Sequence, residues 1–124
     1  MFEVEFYRDQ NGNSEIVEYL DELKERSETS KTDRINRDKI LAYIGALEQF
    51  GTRLGYPIVK HIDGNIWELR PIANRIFFFY WKDNTYVLLH HFIKKSRKTP
   101  PQEIEHARSK LKDFLERQDE KNEL

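Results

Sequence analysis

The chain has 124 residues and not one cysteine. A disulfide framework and a thiolate zinc site are therefore both excluded, and a reducing compartment is the natural setting. Also missing is any apolar run near the roughly 18 residues needed to cross a bilayer. The opening segment MFEVEFYRDQ carries acids where a secretory leader needs basic and then long apolar residues. A soluble, cytoplasmic protein with no membrane partner is the expectation. Internal repeats and low-complexity segments are absent too. A chain of this length can bury one core without covalent or metal staples but is short for two. We therefore expect a single domain over residues 1–118, with 119–124 as a frayed tail.

Net charge is nearly absent as well, at −1, but the average conceals a division along the chain. Residues 1–50 hold 7 Lys/Arg against 12 Asp/Glu, residues 51–110 hold 11 against 5, and residues 111–124 hold 3 against 5. The middle segment is thus basic by +6, which suits a phosphate-rich partner there and not elsewhere. The acidic first half includes Glu15, Glu18, Asp21, Glu22 and Glu25. Its helices either face solvent or dock a partner.

The hydrophobic periodicity predicts a mixed fold. Phe2, Val4 and Phe6 alternate with Glu3 and Glu5, the period of a strand with one wet face. Asn13 or Ser14 can cap a helix whose Ile16, Val17, Leu20 and Leu23 share one side, fading near Arg26. Ser27–Thr32 reads as a loop, and Ile40, Leu41, Ile44 and Leu47 mark a second helix that Gly51 can end. Four strands then follow: Ile58–Ile62, Ile66–Ile72 across the turn at Asp63-Gly64-Asn65, Arg75–Trp81, and Tyr86–Ile93. Phe77 to Trp81 are apolar on both faces, as in a central strand. Thr99-Pro100-Pro101-Gln102 has the form of a capping box with proline at the first helical position, opening a last helix through Ile104, Ala107, Leu111, Phe114 and Leu115. The order β-α-α-β-β-β-β-α makes the fold class α+β, with a largely antiparallel sheet, an N-terminal helix pair and a C-terminal helix.

Chemistry-bearing residues concentrate in the basic segment. Alternation along Ile66–Ile72 sends Glu68 and Arg70 to one face, expected to be open, and Arg75 follows after a short turn. His90 and His91 are neighbours on a strand, so one should face the core and the other the open side. Neighbouring strand residues diverge, so they make a poor metal pair, and no other histidine is expected at ligand spacing with carboxylates. A wet histidine is better suited to contacting phosphate or carrying a proton. Lys94, Lys95, Arg97 and Lys98 crowd a five-residue loop tethered at both ends, a natural phosphate contact.

Three segments together carry a family resemblance: Gly51, Leu54, Pro57 and Lys60 leading into Gly64-Asn65-Ile66-Trp67-Glu68-Leu69-Arg70; the strand Arg75-Ile76-Phe77-Phe78-Phe79-Tyr80; and LLHHFIKKSRKTPPQEIEHA from Leu88 to Ala107. With these the chain resembles the HigB branch of the RelE/ParE superfamily of type II toxins, the group labelled phage-derived or addiction-module killer proteins. The resemblance implies a RelE-like sheet flanked by helices. It also implies ribosome-dependent cutting of mRNA and restraint by a helix-turn-helix antitoxin of the HigA kind, with operator DNA reached only through that antitoxin. Arg75 matches the family arginine that contacts the scissile phosphate. Lys95, or its neighbour Lys94, matches the basic position after the last strand, and Arg70 matches another basic position. Glu68 stands where the RelE branch has lysine, so it either takes a proton or orients Arg70. Where relatives carry a base-stacking tyrosine near the C-terminus this chain has Pro101, so stacking has to come from another aromatic.

The reaction so implied is attack of a ribose 2′-OH on the adjacent phosphate, for which no metal or cofactor is expected. Arg75 and Arg70 would hold the non-bridging oxygens. Glu68 or His90 would take the 2′ proton, and Lys94, Lys95 or a histidine would supply the other. Lys60, His91, Arg97 and Lys98 would bind the RNA backbone. Two rivals share the scaffold: a ParE-like inhibitor that binds DNA gyrase without hydrolysis, and a non-catalytic RNA-binding protein.

Overall fold

The structure, a computed structural model, describes residues 1–123. Its elements run β1 (Glu3–Phe6), α1 (Glu15–Arg26), α2 (Lys31–Phe50), a 3₁₀ turn (Gly51–Leu54), β2 (Val59–Asp63), β3 (Ile66–Leu69), β4 (Asn74–Tyr80), β5 (Thr85–Ile93) and α3 (Pro101–Glu123). The α+β class and the element order are those predicted.

One five-stranded sheet has the order β1-β5-β4-β3-β2. Its hairpins are antiparallel, while β1 lies parallel against β5, with Val4 opposite Tyr86 and Phe6 opposite Leu88. Strand β4 is central, which is why Ile76, Phe77, Phe78 and Phe79 are all buried. Facing one side of the sheet, α1 and α2 pack Ile16, Leu20, Leu23, Ile40, Ile44 and Leu47 on Val59, Leu69, Ile76, Phe78 and Leu88. On the other side lies α3, where Ile104, Ala107 and Leu111 meet Ile66 and Phe77, and Leu111, Phe114 and Leu115 meet Phe79, Val87 and Leu89. Each large side chain so enclosed adds about 1.5–3 kcal/mol. Tyr7 ties α3 down further by donating to Asp113 Oδ2 at 2.6 Å.

Several boundaries differ from the sequence expectations. Helix α2 starts at Lys31, inside the expected loop, because Ser30 Oγ accepts from the Asp33 N–H at 3.2 Å and so caps it. Strand β3 stops at Leu69 rather than Ile72: Pro71 has no N–H to give a ladder, and Ile72 turns to φ 58°. Helix α3 opens at Pro101, one residue later than a cap at Thr99 would place it. It then continues to Glu123 where a frayed tail was expected from 119; Leu124 lies outside the described residues.

Gly51 ends α2 at φ 62°, ψ −153°, a conformation close to glycine-only. A Cβ there would meet Tyr86 Oη at 2.7 Å and Phe2 Cε2 at 2.8 Å, where β1 and β5 close on the helix pair. Gly51→Ala is accordingly expected to cost about 2 kcal/mol or more through strain and overpacking. Urea denaturation of the purified variant would show it as a lowered midpoint at unchanged slope.

Candidate functional site

The corner where β3 ends and β4 begins gathers buried charge. Register pairs Glu68 with Phe77 and with Lys60, and Arg75 lies two residues before Phe77, so all these side chains share the α3 face. Glu68 is not open to solvent as alternation alone predicted, since it is 1% exposed. Its Oε1 lies 3.4 Å from Arg70 Nε and 3.8 Å from Arg75 Nε, so two guanidiniums roof one buried carboxylate.

The turn between the strands fixes Arg75. Ile72, a β-branched residue at positive φ, is a strained choice that aims its carbonyl inward. Arg75 Nη1 donates to Ile72 O and to Asn74 O, each at 2.8 Å. Asn74, buried at the start of β4, holds the turn by donating from Nδ2 to Pro71 O at 3.0 Å and to Asn36 Oδ1 at 2.6 Å. Four buried polar atoms of this group form no hydrogen bond among the described residues, namely Glu68 Oε2, Arg70 Nε, Arg70 Nη1 and Arg75 Nε, although both Nε atoms face Glu68 Oε1 as ion pairs. Burial, followed by the adjacent Arg70 charge, lowers the Arg75 guanidinium below its usual value.

An open cleft of about 720 Å³ runs from Ile72, Ala73 and Arg75 to Lys94, Lys95, Ser96 and Arg97. A second, of about 310 Å³, joins Arg70 and Arg75 to Tyr43, Pro57 and Ile72. Arg75 and Ile72 line both, so Arg75 stands between the cleft that holds Lys94, Lys95 and Arg97 and the one that holds Arg70. Lys60 stands exposed across from Glu68, and Lys98 is exposed on the basic loop without lining the cleft.

Neither neighbouring histidine joins this group. His90, 5% exposed, is enclosed under α3, with Nε2 at 2.5 Å from Glu103 Oε2 and Nδ1 at 2.8 Å from Lys110 Nζ. His91 points to the opposite face, stacked on Tyr19 at 4.2 Å between ring centroids, its Nε2 donating to Asn74 Oδ1 at 2.9 Å. The expected proton carrier and the expected phosphate contact are therefore both engaged internally. Burial pulls His91 from 6.5 down to about 4 and lowers His90 as well. A histidine depressed in the folded state favours folding above its unfolded value, and that contribution is lost as pH falls. Stability is expected to decline from about pH 6.5 toward pH 4, and the His91 ring protons, followed by NMR, should titrate well below the ordinary histidine value of 6.5.

Two features had no motif to announce them. Tyr56, 72% exposed, carries the Arg70 guanidinium 4.9 Å from its ring centroid, and that cation holds the phenol below its usual range. An exposed aromatic just before a proline gives a sequence reader only a weak hint. In addition, Glu103 and His106 of α3 come to the ring of His90, a cross-element meeting that overturns the expectation of no further histidine near a carboxylate. The i, i+3 spacing of Glu103 and His106 was the available signal.

A family model described as phage derived protein Gp49-like (DUF891) matches residues 18–112, a span that includes every cleft residue named above. Among curated proteins nothing matches. No helix of the described residues is long and apolar enough to cross a membrane.

Proposed function

Because the chain belongs to the Gp49-like family of phage-derived proteins, we propose that it is the toxin of a type II toxin-antitoxin pair, acting as a ribosome-dependent mRNA endoribonuclease. The observation that carries this reading is the pair of guanidiniums over Glu68, of which Arg75 lines a cationic cleft with Lys94, Lys95 and Arg97. One buried carboxylate does not balance these clustered cations, and a phosphate's non-bridging oxygens are the acceptors that suit them.

In the reaction the 2′-oxygen bonds to the adjacent phosphorus, the bond to the 5′-oxygen breaks, and a 2′,3′-cyclic phosphate and a 5′-hydroxyl result. Arg75 and Arg70 hold the non-bridging oxygens and strengthen their hold as charge builds in the transition state. Glu68, sealed beneath them, keeps the two like charges together and meets no substrate. With His90 and His91 engaged elsewhere, Lys94 and Lys95 at the cleft exchange the protons. Tyr56 offers the flat surface for a base, Arg97 and Lys60 hold the backbone, and Lys98 contributes long-range attraction. A HigA-like antitoxin restrains the protein by docking.

Mapping RNA ends after adding the purified chain to a cell-free translation extract tests the proposal. Cuts inside translated codons, and none in the same mRNA without ribosomes, are expected. Intact mRNA together with blocked gyrase supercoiling would replace this reading with the gyrase inhibitor.

A further inference from the structure

A second polar cluster lies outside the cleft. We propose that His90, Glu103 and His106 form a binding site for a divalent transition metal, zinc by preference, that clips α3 onto β5.

One ligand atom from each of the three residues lies within 4.8 Å of the other two. Around a tetrahedral zinc with bonds near 2.0–2.1 Å, ligand atoms sit about 3.4 Å apart, so side-chain rotation alone reaches the required spacing. His90 is fixed by the sheet, and its ring lies 5.2 Å from that of His106 at 76°. Glu103 and His106, one turn apart on α3, present their side chains on the same face of the helix. Two imidazoles and a carboxylate are a borderline donor set that suits zinc better than magnesium or calcium. Three protein ligands leave the fourth position to water, and a recess of about 190 Å³ bounded by Glu15, His90, His106, Ser109 and Lys110 has room for it.

The surroundings supply the outer carboxylate that metal-bound histidines use. Glu15 Oε2, from the first turn of α1, is 3.9 Å from His90 Nδ1. Lys110 Nζ now lies between them, 2.8 Å from Nδ1 and 3.1 Å from Glu15. When the ion takes Nε2, the ring proton moves to Nδ1 and donates to Glu15, and the Lys110 ammonium turns outward, away from the new positive charge. The ion thereby joins β5, α3 and the start of α1. It also fixes the first turns of α3, directly behind the loop that carries Lys94, Lys95 and Arg97. None of this depends on the proposed cleavage.

The test uses the full chain, stripped with EDTA and dialysed, then titrated with zinc chloride by calorimetry and with cobalt(II) by visible absorption. One zinc per chain, a raised thermal midpoint and a tetrahedral cobalt spectrum are expected. His106→Ala and Glu103→Gln, whose folding is checked by circular dichroism, should each weaken zinc binding at least about 10–100-fold, and Glu15→Gln about tenfold. His61→Ala, on the β2 edge, should bind as the unaltered chain does. No saturable binding, or unchanged affinity in His106→Ala and Glu103→Gln, would overturn the site and leave the cluster a hydrogen-bonded network only.

Discussion

Arg75→Ala is expected to reduce mRNA cutting in a translation extract about 10²–10³-fold, the loss that follows removal of one preorganised donor at a developing negative charge. The geometry explains why the effect is so large. Nη1 is committed to Ile72 O and Asn74 O and Nε faces Glu68, which locks the guanidinium plane before a phosphate arrives. Arg75→Lys should recover little of the activity. A single ammonium cannot satisfy two carbonyls and still present a planar fork to phosphate. The folded state should survive Arg75→Ala, because the core phenylalanines of β4 are untouched and Arg70 still faces Glu68. A variant that cuts within about threefold of the unaltered protein, with the same denaturation midpoint, would remove Arg75 from the site.

Much of this arrangement was legible because local rules and burial agree in it. The alternation of Phe2, Val4 and Phe6, the Ser14 cap and the Asp63-Gly64 turn each have a near-sequence cause, and each is found. The parallel pairing of β1 with β5 was not legible, since it depends on where the α1–α2 excursion returns the chain. The histidines show the same limit more sharply. Phe78 pairs with Leu88 while Phe77 pairs with His90, so Leu89 is an extra residue in β5. Strict alternation from Leu88 would place His90 with α1 and α2. The bulge reverses the phase, so His90 goes under α3 and His91 against Tyr19. Glu68 was placed on the correct face, yet it is buried on the side that α3 covers, with Arg70 and Arg75 against it, and no strand period encodes that.

That burial sets the second large expectation. Glu68→Ala removes the only negative charge within 4 Å of two largely buried guanidiniums among the described residues, and leaves a void beneath them. Breaking a buried ion pair from one side typically costs about 3–5 kcal/mol, and a loss of that size should appear in urea denaturation. Glu68→Gln separates the two roles that the sequence leaves open. If Glu68 takes the 2′ proton, the amide abolishes cutting through kcat, by far more than any loss of stability explains. If it holds the arginines together, the amide, equal in volume but uncharged, destabilises the fold and lets Arg70 and Arg75 repel each other. Cutting should then weaken chiefly through substrate binding, as a higher KM with a smaller change in kcat. The 1% exposure of Glu68 and its position under both guanidiniums favour the second outcome. A fully stable Glu68→Gln protein with no detectable cutting would reverse that assignment and make the carboxylate the base.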